Sequence, residues 1–565
     1  MTEAQSDSEK LRVAVLVEGL TVDAWIAETI RQVSSLSEVE LCLVMVNAVP
    51  DRSAGFLTRL WRSRRHLVYR AYSILDRRLF GRQPDAFDLT DMSELLSGTR
   101  QQTVTPRQLK FSDTFDEADV AEVSDQRIDV CLNFCHRIQR GAVLGVARFG
   151  VWSFHHGDAS VYRGGPPGFW EVMNQDPVTG STLQVLSEEL DGGRVLARSW
   201  SATDETSVHR NCNAMFWKTT RLMPRALRQL SRTMSLDDMI DADPDIYSGQ
   251  LYRPPTTIAA MRTIGAHCWR AVRRKTVNKL KHEQWQILYQ PGGGLPGSMH
   301  RMKRLVPPVD RLWADPFILE ADGKTWLFVE ELMYRNGRAH ISALEYDAET
   351  QLFGPPRPVL VCDYHLSYPN VFQYEGQYWM IPESSENRQI ELYTAKELPG
   401  PWTLHSVLMA DANAVDATLY QKDGRWWMFC GIAEVDGGTT WDESFLFSTE
   451  DFRQPDWEPH PVSPIVSDAR RARPAGSVFM HNGMAVRPSQ DCSRQYGYGL
   501  RLNEITELSS SSYQEREIGY VTPDWSADVY GVHHICVHDT VTVMDVSCRC
   551  SRLKSRLAGS HSGNE

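Results

Sequence analysis

An acidic residue or asparagine directly before a glycine, followed by an aromatic pair or an apolar strand, recurs in the second half of this chain as Asp322-Gly323, Glu375-Gly376, Asp423-Gly424 and Asn482-Gly483. The glycines lie 53, 48 and 59 residues apart, and aromatic or apolar residues follow each pair. Such a pair suits a two-residue turn in which both central residues need positive φ, and flanking apolar alternation makes it a hairpin signal. One hairpin per period of about fifty residues is the sequence mark of a propeller blade. A second marker stands upstream of each hairpin: Asp315-Pro-Phe, Tyr368-Pro-Asn, Asp416-Ala-Thr and Arg473-Pro-Ala. A fifth unit opens at Gly531-Val-His-His534. Residues 296–552 are therefore predicted to form an all-β five-bladed propeller.

The first third reads differently. Leu11–Val17 and Val39–Val46 are continuous apolar runs flanking a stretch that sets Trp25, Ile26, Ile30 and Val33 on one helical face. Strand, helix and strand in that order predict a βαβ unit in a parallel sheet covered on both faces. Ile128–Phe134 and Gly150–Phe154 continue the strand series, so residues 10–230 are predicted to be an open α/β domain. In such a sheet the site lies at the carboxyl ends of the strands. Residues 231–295 are predicted to be a helical basic linker.

Between these strands, residues 56–82 interleave Arg59, Arg62, Arg64, Arg65, Arg70, Arg77, Arg78 and Arg82 with Leu57, Leu60, Trp61, Leu67 and Tyr69. Two readings are open: a phosphate-facing or membrane-surface helix, or a solvated helix that packs its apolar stripe on its own domain. The second is the expectation.

Composition narrows the class of function. The 565 residues are 42% hydrophobic and 23% charged, with a net charge of −12, which argues against a general nucleic-acid binder. No apolar run reaches the roughly 20 residues of a membrane span, and the acidic start MTEAQSDSEK does not read as a signal peptide. Eleven scattered cysteines read as reduced thiols, and Cys548 with Cys550 lacks the second pair of a zinc site, so no metal is expected. The expected location is the cytoplasm.

The densest polar stretch follows the Gly150–Phe154 strand: Ser153-Phe-His155-His156, then Tyr162-Arg163-Gly164. Further on come Thr179-Gly-Ser-Thr182 and Leu190-Asp191-Gly192-Gly193. A His and an Asp on neighbouring loops make a proton carrier with a partner that supports its cation. Gly192 and Gly193 would let the loop bring Asp191 back without steric cost.

This ordered set resembles the folate-dependent formyltransferases, whose pattern is Asn-x-His, Arg-Gly, Thr-Gly-x-Thr and Leu-Asp-x-Gly. The resemblance covers about residues 10–230. It implies 10-formyltetrahydrofolate as co-substrate, His155 and Asp191 as the proton-handling pair, and His156, Arg163, Gly192 and Gly193 as contacts to the co-substrate. Ser153 stands where the family carries its oxyanion-holding Asn. A hydroxyl is a shorter donor that rotates, and losing an oxyanion donor costs roughly 3 kcal/mol. The implied acceptor is a small-molecule amine on a sugar, sugar nucleotide or glycosylated metabolite, with no nucleic-acid partner.

The second half resembles five-bladed propellers of the arabinanase and levansucrase type, and more closely the amino-terminal domain of glucosamine inositolphosphorylceramide transferases. In the hydrolases Asp315 and Asp416 would match a base and an orienting carboxylate, but Arg473 stands where the acid would be. An Arg cannot donate a proton at pH 7, so glycoside hydrolysis is not expected. Asp315, Glu383, Asp416, Arg473 and Gln490 are expected at the axial mouth as saccharide contacts. Two other readings stay open: a carbohydrate-binding protein with a degenerate first domain, or sugar-processing chemistry in the propeller. Assembly as a homo-oligomer also stays open.

Overall fold

The computed structural model describes residues 10–47, 64–109, 112–189, 192–237, 239 and 249–551. The chain forms two compact units, one of residues up to 268 with 435–438, the other of 269–434 and from 439 on.

The first unit is built on a seven-stranded sheet. Its strands are β1 (Leu11–Val17), β2 (Val39–Asn47), β3 (Arg100–Val104), β4 (Val130–Asn133), β5 (Val151–His155), β6 (Val178–Val185) and β7 (Arg194–Ala202), in spatial order β7-β6-β5-β4-β1-β2-β3. Strands β3, β2, β1, β4 and β5 run parallel, and β6 and β7 complete the sheet antiparallel. The apolar runs are buried on both faces, as a covered parallel sheet requires: Leu11 and Val13 to Val17 are all buried. Helix α1 (Ala24–Ser34) follows β1 and buries Trp25, Ile26, Ile30 and Val33, the face its spacing predicts. The strand order reverses between β1 and β4, and their carboxyl ends, together with that of β5, share one edge. That edge carries Asn133 and His155.

Helix α2 (Leu67–Phe80) departs from expectation. Its one buried residue is Asp76, whose carboxylate accepts from Ser207 Oγ at 3.0 Å and His209 N at 2.7 Å. Of the expected apolar stripe, Leu57, Leu60 and Trp61 lie outside the described residues, Tyr69 packs inward on Phe169, and Leu67 is exposed, as are Ile74, Leu75 and Leu79. Arg59 and Arg62 lie outside the described residues. Three further helices matter below: α3 (Phe169–Asn174), α4 (Val208–Thr219) and α5 (Thr257–Leu280).

The second unit consists of five antiparallel sheets in succession. All four Asx- or Glu-Gly pairs form the predicted two-residue turns, with φ of 52° and 72° at Asp322-Gly323, 51° and 75° at Glu375-Gly376, 53° and 77° at Asp423-Gly424, and 50° and 80° at Asn482-Gly483. The upstream marker is a β-bulge. Asp315, Tyr368 and Asp416 sit at φ of 50°, 45° and 53°, and in each case the register of that strand shifts against its hairpin partner. A bulge bends a strand and re-aims its side chains, and here it recurs at one position in three sheets.

The remaining sheet pairs Lys281–Pro291 with Val541–Ser551 over eleven residues, joining the first and last long strands of the unit. The second unit thus begins before residue 296, and the end of the expected linker is a strand. The basic stretch ahead of it is helix α5, as its composition suggested.

A buried ion pair anchors the fourth hairpin. Arg487 donates through Nε and Nη2 to both oxygens of Glu515 at 2.9 and 2.8 Å, with side-chain exposures of 1% and 5%. Burial works against the Glu515 charge, but Arg487 outweighs it and holds the carboxyl below its ordinary range. Its contribution to stability is therefore present above the unfolded Glu range near 4.3 and lost as pH falls through the lower folded value. Arg487→Ala should cost about 3–5 kcal/mol because Glu515 is left buried and unpaired, whereas Arg487→Met with Glu515→Leu should recover most of that loss. Denaturant midpoints of the three proteins at neutral pH check both outcomes.

Candidate functional site

Strand β5 ends in Trp152-Ser-Phe-His155, and alternation along the strand sends Ser153 and His155 to the same face. His155 stands opposite Thr182 in the β5–β6 register, which brings the Thr-Gly-Ser-Thr segment beside it. Thr182 Oγ1 donates to Gly157 O at 3.2 Å, tying that segment to the loop after β5. The same loop returns so that Tyr162 O lies 2.7 Å from His155 Nε2. A carbonyl only accepts, so this contact places the proton on Nε2. Three of the four motif segments therefore meet at the carboxyl end of β5.

Ser153 is held by its neighbour on β4. Its hydroxyl donates to Asn133 O at 3.2 Å and accepts from Asn133 Nδ2 at 3.2 Å. The side-chain amide that the resemblance expects at position 153 thus sits one strand over, on a residue that is 4% exposed. No local pattern in the sequence marked Asn133, because its neighbourhood to Ser153 is created by strand pairing.

His156 occupies an aromatic box. Its ring stacks on Phe216 at 3.7 Å and on Phe154 at 5.4 Å, and meets the edge of Trp25 at 5.1 Å. Burial pushes its pKa down to about 3, with the nearby His155 adding to the effect, and Nδ1 has no hydrogen-bond partner. His156 is a neutral imidazole at any physiological pH.

Beside it opens a shallow cleft lined by His156, Tyr162, Arg163, Trp170, Glu171 and Tyr252, among others. Arg163 enters through a short parallel pairing of Arg163–Gly164 with Leu251–Tyr252, and its Nε donates to Ala159 O at 2.9 Å. Gly164 sits at φ 95°, and a Cβ there would come 2.2 Å from Tyr252 O, so only glycine permits that pairing. Glu171 on α3 is 2% exposed, and burial raises its carboxyl to about 7. Sequence reading missed it, since one Glu in a six-residue helix carries no signal until the helix is packed.

Asp191 lies outside the described residues. Gly192 and Gly193 close the β6–β7 turn, and Gly193 packs so tightly that a Cβ would meet Val185 O at 2.3 Å. Val185 pairs with Trp152, three residues before His155 on β5. Among the described residues the two glycines thus contact β6 and Glu189, and Arg163 and His156 share the cleft.

In the second unit the expected saccharide contacts are brought together, but in the interior. Arg473 donates to both oxygens of Asp416, through Nε at 2.6 Å and Nη2 at 3.1 Å, and Nη2 also lies 3.3 Å from Glu383 Oε2. Gln490 Nε2 donates to Asp416 Oδ2 at 3.0 Å. Asp416, Arg473 and Gln490 are all buried, and burial raises the Asp416 carboxyl although Arg473 opposes it. Asp315 belongs to a neighbouring cluster. Its Oδ1 lies 3.7 Å from His533 Nε2 and 3.6 Å from His534 Nδ1, and burial raises its pKa well above the usual range. Asp545, which sequence reading did not single out, completes this cluster with an oxygen 2.7 Å from His533 Nδ1.

Comparison with known proteins adds two likenesses. Residues 307–535 match the family described as "Glucosamine inositolphosphorylceramide transferase 1, N-terminal". The glucosamine inositolphosphorylceramide transferase 1 of Oryza sativa subsp. japonica is 32% identical over 209 residues, 36% of this chain and 27% of the relative. That of Arabidopsis thaliana is 31% identical over 215 residues, 37% of this chain and 27% of the relative. The chain therefore spans about a quarter of the length of these relatives. A methionyl-tRNA formyltransferase from Parabacteroides distasonis is 29% identical over 130 residues, 23% of this chain and 39% of that protein. The chain is thus similar over one stretch to the amino-terminal region of glucosamine inositolphosphorylceramide transferases, and over a shorter stretch to methionyl-tRNA formyltransferases.

Proposed function

We propose that this protein is an N-formyltransferase that uses 10-formyltetrahydrofolate and delivers the formyl group to an amine on a sugar, sugar nucleotide or glycosylated metabolite. The observation that carries the reading is the convergence of Ser153, His155, Thr182 and the Tyr162–Gly164 loop at the carboxyl end of β5. The similarity to a methionyl-tRNA formyltransferase supports the chemistry. The glucosamine in the name of the plant relatives supports an amino-sugar acceptor.

The cleft suits the co-substrate. Trp170 and Tyr252 offer ring faces, Arg163 offers a cation, and the unpartnered Nδ1 of neutral His156 offers a polar contact. When bound, the folate supplies a formyl group on a nitrogen that can leave. His155 receives a proton from the attacking amine and passes it to the departing nitrogen, with Asp191 supporting the cation that forms between those events. The second N–H of the Asn133 amide is a donor for the oxygen that gains charge, and Ser153 joins it when its hydroxyl rotates from Asn133 O to that oxygen. An amine is protonated at neutral pH and must lose that proton before it attacks. Glu171, poised near pH 7, is the group in the cleft able to take it.

The five successive sheets, closed by the pairing of first and last strands, are read as a five-bladed propeller that recognises the saccharide part of the acceptor. Because Asp416 and Arg473 neutralise one another in the interior, their role there is to shape the saccharide site.

Three outcomes test this reading. His155→Ala or Asp191→Ala should lower formyl transfer by about 10²–10⁴-fold with unchanged circular dichroism, and near-normal turnover in either would overturn the assigned roles. Ser153→Asn should preserve or raise kcat, since it restores a side-chain amide donor. The third concerns pH. A Glu171 carboxyl raised by burial keeps its proton in the folded state after the unfolded chain has lost it, so stability falls as pH rises from about 4.3 towards 7. Glu171→Gln should therefore gain about 2–3 kcal/mol over wild type above pH 7 and nothing below pH about 4, as read from denaturant midpoints across that range.

A further inference from the structure

The first unit wears one of its helices inside out. On α2 the inward residues are Tyr69, Tyr72 and Asp76: Tyr69 meets Phe169 edge-on at 5.2 Å, Tyr72 meets His267 at 6.2 Å, and Asp76 is bonded to Ser207 and His209. At 3.6 residues per turn the opposite face carries Leu67 and Ile74, 51% and 58% exposed, with Leu75 at its flank, 54% exposed; Leu79, 66% exposed, lies on the Tyr72 side in the last turn. Arg70 and Arg78 are exposed on that same side. Asp76 is the only acidic residue of the helix and it is buried, so every exposed charge on α2 is positive.

A second helix of the same character lies alongside. His66 Nδ1 contacts Pro255 O at 2.8 Å and Thr257 Oγ1 donates to Arg64 O at 3.0 Å, which holds the start of α5 against the start of α2. The first half of α5 exposes Ile258 at 64% and Met261 at 53%, with Arg262 beside them.

We infer that α2 and the adjoining start of α5 form a docking surface for an anionic phospholipid bilayer, with Leu67, Ile74 and Leu75 entering the headgroup boundary and the flanking arginines meeting lipid phosphates. A helix with apolar residues on one arc and arginines beside them lies in the plane of a bilayer interface. Charge selects this occupant. The protein carries a net −12, yet this face exposes only cations, which an anionic surface complements. A second copy of the chain seated on α2 would set arginine against arginine. The attachment is peripheral: among the described residues no helix is long and apolar enough to cross a membrane. The inference does not depend on the formyl-transfer reading.

Sedimentation of the full-length protein with vesicles tests it. The protein should pellet with an equimolar mixture of phosphatidylcholine and phosphatidylglycerol, remain in solution with phosphatidylcholine alone, and be released by added salt. Arg70→Gln and Arg78→Gln should each weaken binding to the anionic vesicles about fivefold, the equivalent of about 1 kcal/mol per charge near the surface. Leu67→Glu with Leu75→Glu should abolish binding while circular dichroism and thermal midpoint stay those of the wild type, since both side chains are exposed. Binding that is absent, insensitive to headgroup charge, or unchanged in these variants overturns the inference. So does sedimentation equilibrium in which the wild type is a dimer and the double leucine variant a monomer, which would assign the face to self-association.

Discussion

A carboxylate with no exposure at all organises the centre of the second unit. Asp545 accepts from the backbone N–H groups of Asp315 at 2.9 Å, His533 at 3.1 Å and His534 at 3.0 Å. Burial would raise its pKa, but the adjacent His533 and these donors outweigh it and hold the carboxyl below its usual value. An unpaired charge in that position would cost several kcal/mol, so its donors cannot move independently. Two of them lie in the segment before the closing strand, and the third is the bulge residue of another sheet. One side chain therefore ties the last strand of the unit to the first hairpin.

The bulges distribute that constraint. A non-glycine residue at positive φ costs on the order of 1 kcal/mol, more for Tyr368 than for an Asp, and such conformations persist only where surrounding contacts over-determine them. Here they do. Tyr368 N donates to Asp315 Oδ2 at 3.2 Å, and Tyr368 OH accepts from Gly476 N at 2.8 Å. Gly476, at φ 127°, lies where a Cβ would be 2.0 Å from Ile535 O. Each strained residue is thus held by the next sheet, and the interior polar groups lock neighbouring sheets in register. Arg473 serves the same end by bridging Asp416 and Glu383, which come from two different sheets. Removing any one of these groups would leave a buried partner unsatisfied.

The first unit uses burial differently. Its edge at the carboxyl ends of β4 and β5 puts an uncharged imidazole in an aromatic box on the same cleft as a carboxyl that burial raises to about 7. A low-polarity environment around groups that can still exchange protons is what acyl transfer to an amine requires, because it raises the worth of each directed donor. The Ser153–Asn133 pair shows how such a site tolerates a substitution: the amide moves one strand over while the strand pairing keeps it in reach.

The sequence determined the turns, the strands and the order of the motif segments, because each of these depends on residues close together in the chain. An Asp, Glu or Asn before Gly with apolar alternation on both sides favours a two-residue turn locally, and all four hairpins formed where they were expected. The α1 face and the continuous strands followed from periodicity for the same reason. Tertiary structure alone decided which of those residues meet. Sequence placed Asp315, Asp416 and Arg473 at an open mouth, whereas packing of successive sheets buries them and splits them into two clusters. Glu171 and Asn133 acquired their significance only from burial and strand pairing, which no local pattern records. Helix α2 shows the same limit: Tyr69 of the expected stripe packs inward on Phe169 beside Asp76, which finds Ser207 and His209, 131 and 133 residues away, while Leu67 is left exposed. A helical pattern specifies two faces, and only the partners supplied by the rest of the fold decide which of them is inside.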